Sequence, residues 1–334
     1  MSQEYKYLSP EQVDHFLEHG YVVIKQAFTA KASREFSKDV WIRLGLDPND
    51  NSEWSSKHVE KVHMPQHNKV SAKEFAPKAW GAICELLGGE DRIDPKTEYW
   101  ADTFIVNLGR DEYADINIHP RDLDNWHVDG DFFVHYLDSP EQGLLVIPLF
   151  SDIKSRGGGT FISPEGLEHV ARYLAAHPEG CHPTGLSFTP SNALGDLSQK
   201  FSFLELARTT LTNFVELTGE IGDVILLHPL MLHSASKNHT RAHRIITNPP
   251  VSLKLDKPFN FSRENAQEYS LVEKKTLRAL GVDKFDFHPT TERKGVVPKR
   301  LETQSILYKE EKMRLEEFYG KSQSPQTVRV PSQA

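Results

Sequence analysis

A histidine and a carboxylate two residues apart can offer ligand atoms to one metal ion, because residues i and i+2 of a strand project from the same face. The pattern is cheap: 16 His and 47 Asp plus Glu in 334 residues predict roughly two His-x-Asp/Glu triplets by chance, and the sequence holds three. His58-Val59-Glu60 sits in the charged run SSKHVEKVH, which has the texture of a solvated face, and His177-Pro178-Glu179 lies in a Pro and Gly turn after a helix. His127-Val128-Asp129 differs. Trp126 precedes it and, after Gly130-Asp131, the apolar Phe132-Phe133-Val134 follows, so the pair stands where a strand enters a β core. A third ligand must come from another strand, and DVILLHPLMLHSAS offers His228 and His233. Their offset of five puts them on opposite faces of a regular strand, so one of the two looks inward unless Pro229 breaks the register. The bland alternative for either is a histidine satisfied by local hydrogen bonds. Arg244, in the alternating AHRIIT, has a use beside such a site. Its planar fork grips a carboxylate in a bidentate pair, which suits the distal end of a dicarboxylic keto acid, whereas a surface salt bridge is the plainer reading.

The order of these residues resembles the phytanoyl-CoA dioxygenase superfamily of Fe(II)- and 2-oxoglutarate-dependent enzymes, in the form met in fungal secondary metabolism. The resemblance is carried by Trp126-His127-Val128-Asp129, by Gly157-Gly158-Gly159-Thr160-Phe161-Ile162-Ser163-Pro164, by Gly219 to Val224 with His228-Pro229-Leu230-Met231-Leu232-His233, and by Arg244. It extends to the opening FLEHGYVVIKQAF and covers roughly Ser9 to Val251, while SLVEKKTLRALGVDKF resembles the carboxy-terminal extension of fungal and bacterial members. It implies that His127, Asp129 and His233 hold iron and that Arg244, eleven residues on, receives the distal carboxylate of 2-oxoglutarate, with Thr160 and Ser234 helping to bind the co-substrate. His228 then matches the family's His-Pro-Leu segment and not its ligand. Three positions depart from the family pattern: Ala235 stands where a Ser is frequent, an aromatic is missing from LLVIPLF, and GGGTFISPEGLE lacks a Pro-Gly-Ser-His ending.

What the resemblance implies is a double-stranded β-helix, a cupin-like jelly roll wrapped by helices from both ends of the chain. A triad of two His and one carboxylate leaves adjacent positions of an octahedral ion open for 2-oxoglutarate and O₂. The implied reaction oxidises an unactivated C–H of a small metabolite by hydroxylation, desaturation or ring closure, with release of succinate and CO₂. Two rivals use the same residues differently: a zinc-type hydrolase or cupin-like isomerase, and an inactive small-molecule-binding jelly roll.

The elements that must position these side chains are legible in outline. Ser9-Pro10-Glu11 opens a helix that Gly20 ends, Tyr21 to Phe28 reads as a strand, and helical spacing recurs over Lys31 to Leu46 and Pro77 to Leu87. From Tyr99 the chain turns to short β-rich runs, YWADTFIVNL, WHVDGDFFVHY, GLLVIPLF, GTFI, TNFVEL, DVILLH and HRIIT, interrupted by a helix that starts at Ser163-Pro164-Glu165. EYSLVEKKTLRALG and SILYKEEKMRLEEFYG are helical again. One domain over residues 1–320 with a disordered tail at 321–334 is the simplest division.

Composition narrows the partners. The net charge is −8 and no Lys/Arg stripe could track a phosphate backbone, which argues against nucleic acid. Only Cys84 and Cys181 occur, too few for a disulfide framework. No apolar run approaches the roughly 18 residues of a membrane span, the amino terminus has no signal-like apolar region, and the last residues carry no Ser-Lys-Leu address, so a cytoplasmic enzyme is expected. The long polar stretch GRDEYADINIHPRDLDNW reads as a lid over the mouth of the roll. Arg121, with Phe132, Phe133 and His135, would then line a site for a compact carboxylate such as an amino acid or a metabolite derived from one.

Overall fold

The computed structural model describes residues 5–54, 61–184, 187–190, 201–298 and 300–320. The first helix, α1 (Pro10–His19), forms where the capping signal stands: Ser9 Oγ accepts from Gln12 N, and Gln12 Oε1 accepts from Ser9 N. Gly20, at φ +78°, closes it with an N–H bond to Phe16 O. The strand that follows, β1 (Tyr21–Ile24), is shorter than its sequence suggests, because Lys25 and Gln26 turn out of the ladder to bind the carboxylate of Asp223. The helical pattern up to Leu46 divides into α2 (Ala30–Phe36) and α3 (Val40–Leu44). Next come β2 (Lys61–His63), β3 (Lys69–Ser71), α4 (Ala72–Phe75), α5 (Pro77–Leu87), β4 (Tyr99–Ala101) and β5 (Ile105–Asn107).

The β-rich half supplies β6 (Leu144–Pro148), β7 (Thr160–Ser163), α6 (Gly166–Ala176), β8 (Cys181–Thr184), β9 (Ser187–Pro190), β10 (Phe201–Ser202) and α7 (Phe203–Thr209). After them run β11 (Val215–Leu217), β12 (Val224–Leu227), β13 (Leu232–Ala235), β14 (Arg244–Ile246) and β15 (Pro250–Val251). All described pairings are antiparallel: β1-β12-β6-β15 form one sheet, β11-β7-β13 a second, β14-β5-β2 a third, with β10-β9-β8 and β3-β4 beside them. Neighbours in the first sheet are distant in sequence, so the chain crosses repeatedly between layers. β6 and β12 are buried at every residue, as their unbroken apolar runs require. Buried apolar side chains from Leu8 to Leu280 join in one core.

Two helices complete the wrapping. α8 (Leu271–Leu280) starts at a Ser270–Glu273 capping box, packs on α1 and α6, and buries Glu273 against Arg92 at 3.0 Å. α9 (Arg300–Tyr319) docks on α3 through Glu311, which lies 2.8 Å from Arg43 Nε and 3.0 Å from His67 Nε2.

Two expectations need correction. The run WHVDGDFFVHY makes no strand; it touches neighbours through single bridges at His127, Phe133 and His135, because Gly130, at φ +118°, breaks the extended path. The helix placed at Ser163-Pro164-Glu165 begins at Gly166, and Ser163 instead ends β7. His58-Val59-Glu60 and the tail 321–334 lie outside the described residues.

Candidate metal centre

His127 and His233 face each other across one antiparallel bridge in which each N–H donates to the other's carbonyl at 2.9 Å. Residues paired in this way project to the same side, and the two imidazole centroids are 4.2 Å apart. His233 arrives on β13, whose register on β7 sets it opposite Ile162 and sets Ala235 opposite Thr160. Asp129 reaches the same point because the chain turns at Gly130, where a Cβ would stand 2.5 Å from Phe133 and 2.7 Å from His135. Only glycine accepts both that φ and that crowding.

Asp129 Oδ1 lies 3.3 Å from His127 Nε2 and 3.6 Å from His233 Nε2, and the three ligand atoms fall within 4.8 Å of one another. Adjacent ligands of an octahedral ion, with bonds of about 2.1 Å, stand roughly 3 Å apart. The cluster therefore closes round an ion with little movement. Its outer contacts prepare it to do so. His127 Nδ1 donates to Asn125 O at 2.7 Å and His233 Nδ1 to Met231 O at 2.9 Å, which turns each Nε2 toward Asp129, where a metal that displaced its proton would bind it. Asn248 Nδ2 donates to Asp129 Oδ2 at 3.0 Å, while Oδ1 is the oxygen turned to the histidines. Burial pushes the Asp129 carboxyl up, but the His233 charge and hydrogen bonds from both imidazoles hold it well below the ordinary range. Burial likewise pulls His233 down, and the facing carboxylate outweighs it and raises the imidazole. The protein places a negative charge where a cation would sit.

Arg244 is 2% exposed, on β14 beside β5. Its Nε donates to Gly158 O at 2.8 Å, one terminal nitrogen is buried with no hydrogen-bond partner among the described residues, and burial pushes it down to about 10. A buried cation without an anion is costly, so this guanidinium fits an anionic group supplied from outside the chain.

The remaining sequence candidates separate. His228 faces away from the metal cluster: Leu230 N donates to its Nδ1 at 3.1 Å, its Nε2 meets Thr276 Oγ1 at 2.9 Å, and burial pushes it down to about 3. Thr160 shares the face of His233, whereas Ser234 does not; one residue along β13, it points to the other side and its Oγ donates to Ala235 O at 3.3 Å. Phe133 and His135 stack at 4.3 Å and line a small interior cavity with Asp129, and His135 Nε2 donates to Gly130 O at 2.7 Å. Phe132 is half-buried, its carbonyl held by Val296 N. Arg121 is exposed and turns its Nε to the equally exposed His119, at 3.2 Å. Sequence reasoning missed Asn248, which follows Arg244 by four residues in a Pro-rich turn and carries no motif.

No protein-family profile matches the chain, and no curated protein matches it. Among solved structures, it is similar to HygX from Streptomyces hygroscopicus with nickel and 2-oxoglutarate bound, at 15% identity and TM-score 0.42, covering 74% of this chain and 88% of that one. It is similar to EctD from S. alaskensis with 2-oxoglutarate and 5-hydroxyectoine, at 15% identity and TM-score 0.40, over 77% and 80% of the two chains. A third, the epimerase SnoN in complex with Fe3+, alpha ketoglutarate and nogalamycin RO, gives 14% identity and TM-score 0.36 over 72% and 82%. Likeness this distant carries no weight by itself, and the functional reading rests on the residues above.

Proposed function

We propose that this chain is a non-haem Fe(II)- and 2-oxoglutarate-dependent oxygenase, built on a double-stranded β-helix, that oxidises an unactivated C–H of a small metabolite. The observation that carries the reading is the combination of a two-His, one-carboxylate cluster with a buried Arg244 guanidinium that keeps one terminal nitrogen without a hydrogen-bond partner among the described residues. His127, Asp129 and His233 would hold the iron, and Arg244 would take the distal carboxylate of 2-oxoglutarate. When bound, iron with 2-oxoglutarate and O₂ supplies the oxidising power for C–H cleavage, with succinate and CO₂ as by-products. The chain's own work is placement. Carbonyls of Asn125 and Met231 fix both imidazole tautomers, Asn248 fixes the carboxylate, and Gly158 aims the guanidinium. The fully buried Trp126, tied to Pro120 O at 3.0 Å, walls the site behind His127.

A hydrolase using metal-bound water would leave Arg244 buried without purpose, which disfavours that rival, and a mere binding module needs no ligand set of this kind. The framework is supported by the short antiparallel strands and their crossing order. The deciding experiment is anaerobic loading with Fe(II) and 2-oxoglutarate, followed by O₂ and assay of succinate with and without a library of small metabolites. Succinate formed only with iron, and stimulated by a subset of the library, is the expected result. Full activity with zinc and no need for O₂ would favour the hydrolase.

A further inference from the structure

The carboxylate of the candidate cluster sits on a stretch of backbone that joins no ladder. His127 is held by its bridge to His233, the next bridge along the chain is at Phe133, and residues 128–132 between them pair with no strand. From inside the protein this turn is fixed by side chains: His135 Nε2 donates to Gly130 O at 2.7 Å, and Asn248 holds Asp129 Oδ2. From outside it is fixed by the carboxy-terminal part of the chain. Val134 N donates to Lys294 O at 2.9 Å and Val296 N to Phe132 O at 2.8 Å. Arg300, the first residue of α9, then grips Asp131 through Nε and Nη2 at 2.7 and 3.0 Å.

The strap formed in this way is tied to the body of the protein at both ends. Upstream, Thr290 N donates to Pro178 O at 2.8 Å, Thr291 Oγ1 donates to Glu179 O at 2.8 Å and meets Tyr136 Oη at 2.7 Å, and Arg293 lies 2.7 Å from Asp138. Downstream, α9 is seated by the buried Glu311–Arg43 pair, by Arg314 Nη1 on Arg43 O at 2.7 Å, and by Tyr308 stacked on His67 at 4.6 Å. A lone surface ion pair contributes little. The Arg300–Asp131 pair differs because it is bidentate and closes a segment that two backbone bonds already hold in register. Its bonds end on Asp131, two residues past the carboxylate ligand, and not on the ligand itself.

We propose that the carboxy-terminal strap, residues 290–298 with Arg300, is part of the metal site, and that Arg300 is a positioning residue that holds the Asp131 turn and through it sets Asp129 against His127 and His233. The inference rests on the metal centre proposed above and gives the carboxy-terminal extension a function in it.

Two accounts of Arg300 make opposite predictions. Its guanidinium is a positive charge whose influence reaches Asp129. Acting through space alone it repels a metal ion, so its removal would tighten metal binding. Acting through position it keeps the carboxylate in place, so its removal loosens metal binding.

The test is calorimetric titration of the full metal-free chain with Ni(II), comparing the unaltered protein with Arg300→Gln, Arg300→Lys, Asp131→Asn and the double variant Arg300→Gln/Asp131→Asn. The Ni(II) Kd should rise about three- to tenfold in Arg300→Gln and by less in Arg300→Lys, which keeps the charge and loses the fork. The double variant has the net charge of the unaltered chain, yet it should bind as weakly as Asp131→Asn alone, because the two residues act as one unit. The urea midpoint of the metal-free chain should hardly move, which separates positioning from a general structural role. Coupling is reciprocal, so Ni(II) should slow hydrogen exchange at the Val134 and Val296 amides of the unaltered chain, and slow it less in Arg300→Gln. An Arg300→Gln chain that binds Ni(II) as tightly as the unaltered one, or more tightly, overturns the proposal. So does a double variant restored to the unaltered affinity, since charge and not position would then explain the singles, and so does exchange at both amides that Ni(II) leaves unchanged. Failure of the unaltered chain to take up Ni(II) at all is a different result, which overturns the metal centre and the strap's role in it together.

Discussion

Two buried histidines five residues apart on the same stretch of chain, His228 and His233, have opposite surroundings. The first is consumed by the protein: a backbone N–H fills one ring nitrogen and Thr276 the other, and its N–H backbone bond to Gly20 O ties β12 to the end of α1. The second gives one nitrogen to Met231 O and turns the other to a carboxylate 3.6 Å away. Burial acts on both, yet only the one facing Asp129 is raised. Depth in the core does not distinguish a ligand from a strut. What distinguishes them is whether the second nitrogen ends on a neutral protein partner or on a charge that a metal can share.

The largest expected effect breaks the comparison outright. His233→Ala, like His127→Ala or Asp129→Ala, should abolish stoichiometric metal retention and cut succinate formation by more than about 100-fold, a ligand being worth more than the groups that merely orient it. His228→Ala should retain its metal. Metal content after desalting decides the matter, and iron lost from His228→Ala but kept by His233→Ala would reverse the assignment. Next in size is Arg244→Lys, which keeps the charge and loses the fork; the 2-oxoglutarate Kd should rise roughly 10- to 100-fold with metal affinity intact. Asn248→Ala should do the converse, weakening metal about tenfold because Asp129 Oδ2 loses its donor, with a smaller effect on 2-oxoglutarate.

How much of this was legible beforehand depended on whether the signal was local. Ser9, Pro10 and Gly20 fix α1 through chemistry within the helix's own turns, and the capping box at Ser270 fixes α8 in the same way. The His127–Asp129 spacing and the choice of His233 were also within reach, the second through family resemblance. Elsewhere the partner was remote. Phe132 to Val134 carry strand-forming side chains, but the backbone that meets them comes from residues 294–296, so they make a single bridge instead of a ladder. Ser234 resembled a co-substrate contact by proximity to His233, and the two-residue period of β13 turns it to the other face. Lys61 to His63 look like part of a charged surface run until pairing with β5 makes them the third strand of the sheet that carries Arg244.

The smallest expected effect lies in the pH dependence of stability, where the same two histidines should differ in sign. Burial and the neighbouring Lys275 charge push His228 down to about 3, while in the unfolded chain it titrates near 6.5. Between those values the unfolded chain binds a proton that the folded one refuses, so stability falls as pH drops through that window, by up to about 1.4 kcal/mol per pH unit. Above about pH 6.5 the group adds no slope. In the metal-free chain His233 behaves oppositely, because Asp129 raises it: its contribution is full below the unfolded pKa and is lost as pH rises through the folded one. His228→Gln should therefore cost about 1 to 3 kcal/mol at neutral pH, from the disrupted Thr276 and Leu230 contacts, and flatten the acid limb of stability by about one proton. His233→Gln in the metal-free chain should leave that acid limb in place and remove stabilisation from its low-pH side. Urea unfolding of both variants from about pH 8 to about pH 4.5 measures the two slopes. An acid limb as steep in His228→Gln as in the unaltered chain would mean that His228 takes up its proton without leaving the core, and the distinction between strut and ligand would lose its electrostatic half.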